Sequence, residues 1–172
     1  MACALTQDIS LGCRDSVGGI KTIYVTELAN KSAITSASGV ITAFTLTTGK
    51  QFWQYDIEKE VGSVTENIQT SVENGTVFYE QDVTFTLNKV QASLQQEIKL
   101  LAQNRVMVIV LDRNGKYWLL GENNGCDLQP STAATGKAMG DFNGYTLNLK
   151  GKETAPANEV TGSLITTLIA PA

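Results

Sequence analysis

The amino-acid sequence predicts a mainly β fold that carries one helix. Several segments rich in β-branched and aromatic residues alternate between apolar and polar positions, as strands with one solvated face do. One segment spaces its apolar residues three or four apart, which is the helical period. An Asn-Gly pair between two alternating segments marks a β-hairpin. The chain has 172 residues, near the usual size of one domain, and can bury a core without disulfides or metals.

The N-terminal half begins with an arm and two strands. Residues 1–20 are punctuated by glycines and are interpreted as an N-terminal arm. Residues 20–27 and 40–47 are rich in β-branched and aromatic side chains, and each is predicted to be a strand. The polar, small-residue segment between them, residues 28–39, is predicted to be a loop.

A long hairpin follows, and it has the clearest alternation in the chain. Over residues 52–61, Trp53, Tyr55 and Ile57 point one way and the polar residues between them point the other. The extended segment continues to residue 72 and returns over residues 76–88. Asn74-Gly75 is predicted to be a two-residue turn at the hairpin tip that requires positive φ.

The C-terminal half begins with the helix. Residues 90–103 carry one apolar stripe of Val90, Leu94, Ile98 and Leu101, with Asn88 or Ser93 as the expected cap. The elements expected after it are strands at residues 105–111 and 116–120 joined by a turn, a long loop at 121–144, a last strand at 145–151, and a small-residue tail after residue 152.

Charge is low and unevenly distributed. Charged residues make up 17% of the chain, and the net charge is -4. The chain as a whole therefore lacks the excess of basic residues that is typical of nucleic-acid-binding proteins. Residues 50–82 alone hold seven acidic and two basic side chains. This segment is either a solvated face or a surface that must not bind a polyanion. A polar surface with few charges suits packing against further copies of the chain.

The side chains that most enzymes use are scarce. The sequence has no histidine, which removes His-based triads and the commonest metal ligand. Three cysteines at irregular spacing form neither a disulfide framework nor a zinc pattern. We therefore predict a non-enzymatic protein with no catalytic, cofactor-binding or metal-binding residue. Trp53 and Tyr55 beside carboxylates leave a carbohydrate-binding module as a lower alternative. No segment reaches the length of a membrane span.

Two features of the sequence carry a resemblance to known proteins. The order strand, strand, long hairpin, helix, hairpin, long loop, strand and tail resembles the major tail tube proteins of bacteriophages and the related secretion-system tube proteins. Short segments of the chain are also similar to virion proteins of phages that infect Bacteroidetes, including crAss-like phages. These segments are Gly18-Gly19-Ile20, Lys50-Gln51-Phe52, and residues 71–76, 97–104 and 115–121.

The resemblance implies a specific architecture and role. Tube proteins have a β-sandwich or open barrel with one flanking helix and a long hairpin, so residues 1–160 are expected to form one such domain and residues 161–172 a C-terminal tail. Subunits of that family join into rings, usually hexamers, that stack into a tube through which DNA passes without specific binding. The implied partners are further copies of the chain and other tail or neck proteins. The implied location is the phage tail, after synthesis in the host cytoplasm.

The hairpin is expected to line the lumen of such a tube. Its acidic residues are the candidate lumen-lining set, because a wall that repels DNA lets it slide. These candidates are Asp56, Glu58, Glu60 and Glu66. The alternative role is another virion component, such as a head–tail connector, a neck ring or a capsid-associated protein.

Overall fold

The computed structural model describes residues 7–169 and confirms a mainly β fold. Twelve strands form one hydrogen-bonded sheet, and the described range holds two α-helices where the sequence predicted one. The strands are β1 (Ile20–Glu27), β2 (Lys31–Ala37), β3 (Val40–Leu46), β4 (Trp53–Asp56), β5 (Gly62–Ser71), β6 (Thr76–Asn88), β7 (Val106–Asp112), β8 (Tyr117–Leu120), β9 (Cys126–Leu128), β10 (Thr132–Ala134), β11 (Gly144–Glu153) and β12 (Asn158–Val160). The helices are α1 (Ala92–Gln103) and α2 (Gly162–Ile169).

Strand β7 is the centre of the sheet. It pairs along its length with β1, which in turn pairs with β4. On its other edge β7 pairs with β8 from Val108 to Leu111 and with β9 at Val106. The sheet therefore divides at β7. One branch continues through β8, β12, β3 and β2, and the other through β9, β11, β6 and β5.

Both faces of β7 are buried, which explains its unbroken apolar run. Val106, Val108 and Val110 belong to a first hydrophobic cluster, whereas Met107 and Ile109 belong to a second cluster on the opposite face. Side chains alternate across a strand, so a strand covered on both faces needs apolar residues at every position.

Helix α1 covers the first cluster and confirms three of the four residues of the predicted apolar stripe. Leu94, Ile98 and Leu101 pack on the cluster. The predicted start is wrong, because Val90 precedes the helix and is exposed. Its N–H donates to Asn143 Oδ1 at 3.1 Å, which ties this part of the chain to the segment before β11.

The predicted cap of α1 is also wrong. Gln91 occupies the N-cap position and its side chain makes no capping hydrogen bond, so neither Asn88 nor Ser93 is the cap. Lys89, two residues before Gln91, has a φ of 67°. The chain turns there, and α1 begins four residues after Asn88.

Most of the predicted C-terminal tail, residues 161–172, packs on the second cluster, as far as residue 169. Strand β12 pairs with β3 and β8, and α2 places Ile165 and Leu168 in the cluster. The Phe52 N–H donates to the Leu168 carbonyl at 2.8 Å, so the last turn of α2 is also fixed by backbone. Residues 161–169 are therefore part of the fold, while residues 170–172, like residues 1–6 of the predicted arm, lie outside the described range.

Two predicted loops contain strands. Residues 28–39 hold β2, which forms a hairpin with β3 through the two-residue turn Ser38-Gly39. Both turn residues have positive φ, 51° and 80°, as a type I′ turn requires. The segment 121–144 holds β9 and β10. These strands are short or lie at an edge, so backbone pairing defines them more than apolar alternation does.

Candidate functional site

The β5–β6 hairpin projects beyond the rest of the sheet. Strand β11 covers β6 from Asn88 only as far as Tyr79, which pairs with Glu153. Past that point β6 pairs with β5 alone. We call residues 68–78 the outer hairpin. Its exposed apolar side chains are Ile68, Val72 and Val77, which are 64%, 97% and 53% exposed.

The apolar side of the outer hairpin continues the surface of the first cluster. Ile68 lies opposite Tyr79, and both lie on the face of the hairpin that carries Val64 and Val83 nearer the body. Within residues 7–169, β5 pairs only with β6, so its second edge has unpaired backbone groups. An unpaired edge beside exposed apolar side chains is a template for pairing with another chain.

The predicted tip residues do lie at the tip of the hairpin, but the predicted turn type is wrong. Ser71 pairs with Thr76, which leaves four residues in the connection, Val72 to Gly75, instead of two. Gly75 has the expected positive φ, 61°. Asn74 is not among the residues with positive φ, and its N–H donates to Ser71 Oγ at 3.3 Å.

The four predicted lumen carboxylates do not share one strand face. The predicted strand at residues 52–61 ends at Asp56, and the chain crosses over residues 57–61 to a new partner strand. Glu60 takes a φ of 63° in this crossing. Gly62 then packs so closely that a Cβ there would lie 2.7 Å from the side chains of Ile20 and Ile57.

The crossing also changes which side chains, odd-numbered or even-numbered, face the first cluster. In β4 the odd-numbered residue Tyr55 packs on the first cluster, whereas in β5 the even-numbered Val64 does. Asp56 therefore lies on the sheet face opposite the first cluster, whereas Glu66 lies on the same face as the first cluster. Asp56, Glu58 and Glu60 are exposed, and the Gln54 side-chain amide donates to Asp56 at 2.9 Å.

Glu66 is also exposed, but it takes part in a hydrogen-bond network that the sequence did not reveal. Its Oε1 accepts from Gln81 Nε2 at 3.1 Å and from the Ala157 N–H at 3.0 Å. Gln81 is buried, and its Oε1 accepts from the Gly121 N–H at 2.9 Å. The network ties β5, β6 and the end of β8 together, so Glu66 has a structural role that Asp56, Glu58 and Glu60 do not share.

Glu153 is a buried carboxylate that the sequence did not single out. Its Oε1 accepts the N–H groups of Asn123 and Asn124 at 2.9 and 2.7 Å, which holds the turn between β8 and β9. The neighbouring thiol of Cys126 is buried. Burial, followed by the nearby Glu153 carboxylate, raises the pKa of Cys126 to about 12.

The opposite face of the hairpin carries ion pairs of mixed sign. Lys150 Nζ lies 3.4 Å from Glu80 and 3.6 Å from Asp82, and Lys152 Nζ lies 3.7 Å from Glu80. These side chains are partly solvated, so each pair contributes at most about 1 kcal/mol. The base of the hairpin on this side is thus not a purely acidic surface.

The aromatic residues considered for a sugar site line a small groove. Trp53 is exposed, Tyr55 is half-buried, and both face a groove of about 210 Å³ beside α1 that Glu97 and Leu100 also line. Burial, followed by the Glu97 carboxylate, raises the pKa of Tyr55. Tyr55 packs on the first cluster, so only Trp53 offers a free aromatic face.

Comparison with protein-family models, curated proteins and solved structures finds no match to this chain. Its function is therefore argued from its own residues. Neither α1 nor α2, the helices of residues 7–169, has the length and apolar character to cross a membrane.

Proposed function

We propose that this chain is a structural virion protein that assembles with copies of itself into rings of a phage tail tube. The observation that carries the proposal is the outer hairpin, which places Ile68, Val72 and Val77 in solvent beside the unpaired edge of β5. An isolated subunit gains nothing from this arrangement, because exposed apolar surface at an open edge favours aggregation. Closure of a ring buries this apolar surface and pairs this edge against a neighbouring subunit.

The resemblance of the sequence to tube proteins supports the same role. A mainly β subunit with a projecting hairpin is the architecture that the resemblance implies. The low fraction of charged residues, 17%, also suits a surface that is largely covered by neighbouring subunits. Another virion component, such as a neck ring or a head–tail connector, is the alternative that the same features support.

Self-assembly is tested by the mass of the purified chain in solution. Light scattering and negative-stain imaging are expected to show rings or tubes of the wild-type chain. The double variant Ile68→Ser with Val77→Ser is expected to lower the assembled fraction strongly. The matched control, Asn67→Ser with Gln69→Ser on the opposite face of β5, is expected to assemble normally. A wild-type chain that remains monomeric at all concentrations would contradict the proposal.

The exposed carboxylates of residues 56–60 are the remaining lumen candidates within this proposal. Asp56, Glu58 and Glu60 are solvated, so replacing them with Lys is expected to leave ring formation largely intact. The altered particles are expected to retain DNA at low salt and to release it as salt rises, because the contact is electrostatic.

The control for DNA retention adds basic residues on α1 and at its N-cap. It changes Glu97 and the four glutamines Gln91, Gln95, Gln96 and Gln103 to Lys, all at exposed positions, so that its charge change equals that of the test variant. If the lumen carries the residues at 56–60, this control is expected to hold less DNA than the test variant. Equal retention by wild-type particles and test variant at low salt would end the lumen assignment and leave the ring proposal standing.

A further inference from the structure

Residues 7–14 of the arm before β1 have the pattern of a strand, but they pair with no strand of residues 7–169. From Gln7 to Arg14, apolar Ile9, Leu11 and Cys13 alternate with polar or small residues. This period of two is typical of a strand with one buried face. Ile9 is 96% and Leu11 104% exposed, so neither side chain packs on its own subunit.

The base of the arm is held in a fixed direction. The Val17 N–H donates to Asn114 Oδ1 at 2.8 Å, and Asn114 Nδ2 donates to the Val17 carbonyl at 2.9 Å. The Gly19 carbonyl accepts the Arg113 N–H at 3.1 Å. The β7–β8 turn thus holds the chain as a paired strand would, while residues 7–14 extend away from the subunit.

The edge of β5 fits this arm better than the other open edges do. It offers ten residues from Gly62 to Ser71 and exposes Ile68. An eight-residue arm spans about 26 Å as a strand, so β5 accommodates it fully. Strands β4 and β10 have only four and three residues, and the exposed side chains of β2 are small or polar, so none of these edges offers a matching apolar contact.

An open groove lies along the inner end of the same edge. It measures about 440 Å³, and Val64, Val110 and Leu120 of the first cluster are among the residues that line it. A strand added along β5 would lay apolar side chains toward this groove, where Val64 is partly exposed, and toward Ile68.

We infer that residues 7–14 of one copy add as a strand to the free edge of β5 in a second copy. An antiparallel register with Ile9 opposite Ile68 places Ser10 opposite Asn67 on the polar face and sets no carboxylate against another. The inference rests on the proposed self-assembly and names the segment and the edge that meet. The base of the arm, residues 17–19, lines the same groove as Ser63 and Val64 of its own β5, yet the described residues 7–14 do not pair with that edge, so the second copy is the acceptor.

Cysteine pairing between two differently tagged chains tests the inference. The wild-type cysteines at positions 3 and 13 are first changed to Ser. One chain then carries Ser10→Cys and the other carries Asn67→Cys, and the two are mixed and treated with a short bis-maleimide. Directly opposed residues in an antiparallel pair have Cβ atoms about 5 Å apart, so a cross-linked dimer of the two tags is expected. The matched control replaces Asn67→Cys with Thr35→Cys on the open edge of β2 and is expected to yield at least about tenfold less dimer.

The outcomes separate the inference from the proposed function. Adding Ile9→Ser and Leu11→Ser to the arm chain is expected to abolish the cross-link, because the apolar contact is lost. An equal yield with Thr35→Cys overturns the inference. A third chain carries both Ser10→Cys and Asn67→Cys, and a cross-link that forms only within this chain, and not between two chains, also overturns it. If wild-type rings form but no cross-link does, the inference fails and the proposed function stands. If the wild-type chain is monomeric by light scattering, the proposed function itself fails.

Discussion

Replacing Leu168 by Ala is expected to destabilise the chain by about 3–4 kcal/mol. Leu168 is 3% exposed and lies in the second cluster beside Phe52 and Ile165. Removing three carbons loses about 2.4 kcal/mol of transfer free energy, at about 0.8 per buried carbon. The cavity between α2 and the sheet adds to this loss, because Leu168 also lies where the Phe52 N–H fixes the backbone and limits collapse.

The assay is denaturant unfolding at fixed protein concentration, followed by the fluorescence of the two Trp residues. A graded series strengthens it: Ile165→Val removes one carbon and is expected to cost about 1 kcal/mol. Thr166→Ala, at an exposed position of the same helix, is the matched control and is expected to stay within about 0.5 kcal/mol. Ending the chain at residue 161 removes both buried anchors and is expected to prevent stable folding.

Two results would refute this reasoning. A cost below about 1 kcal/mol for Leu168→Ala would mean that α2 is not packed on the sheet. A chain ending at residue 161 that unfolds at the wild-type midpoint would restore the sequence-based view of residues 161–172 as a separate tail.

Three further predictions concern single side chains. In a chain whose other cysteines are Ser, Cys126 is expected to resist maleimide at pH 8 until denaturant is added, because burial raises its pKa to about 12; labelling at equal rates in both states would contradict this. The backbone N–H groups of Ala138 and Lys137 donate to the Asp141 carboxylate and lower its pKa. The stabilisation of the loop by these hydrogen bonds is therefore present at neutral pH and is lost as the pH falls through the lowered pKa. An NMR titration of the two amides is expected to show a midpoint below 3.8, and Asp141→Asn is expected to abolish this titration. Gln81→Leu is expected to cost about 1–3 kcal/mol by leaving the Gly121 N–H and the Glu66 carboxylate without this partner, whereas exposed Gln69→Leu should cost within about 0.5 kcal/mol; equal midpoints for the two variants would argue against the network.

Local patterns predicted the elements that depend on local contacts. The spacing of Leu94, Ile98 and Leu101 was sufficient to identify α1 and its buried face. The run from Val106 to Val110 was sufficient to identify a buried strand. In α1 the helical period of the apolar residues matches its one covered face, and in β7 the unbroken apolar run matches the burial of both faces.

Helix α2 was missed although a signal was present. Leu164, Ile165 and Leu168 follow a helical spacing, but the segment has only eight residues and contains β-branched side chains that favour strands. Its burial depends on contacts with Ile41 and Phe44, which lie more than 100 residues earlier in the chain. Short elements of this kind are fixed by tertiary packing, and the sequence pattern alone does not show what will cover them.

The segment 52–66 shows most clearly how the interruption of a strand changes the prediction of a functional surface. Alternation across residues 52–66 suggests that all even-numbered carboxylates share one face. The crossing at residues 57–61 shifts the phase, so Tyr55 and Val64 both reach the first cluster although one is odd and the other even. Side chains have a period of two in a strand, and any such shift moves the later residues to the other face. Glu66 is thereby directed to Gln81 and Ala157, and Ile68, two positions further on, continues the apolar face of the core into solvent. The same shift that turns Glu66 to the opposite face from Asp56 produces the apolar edge on which the assembly proposal rests.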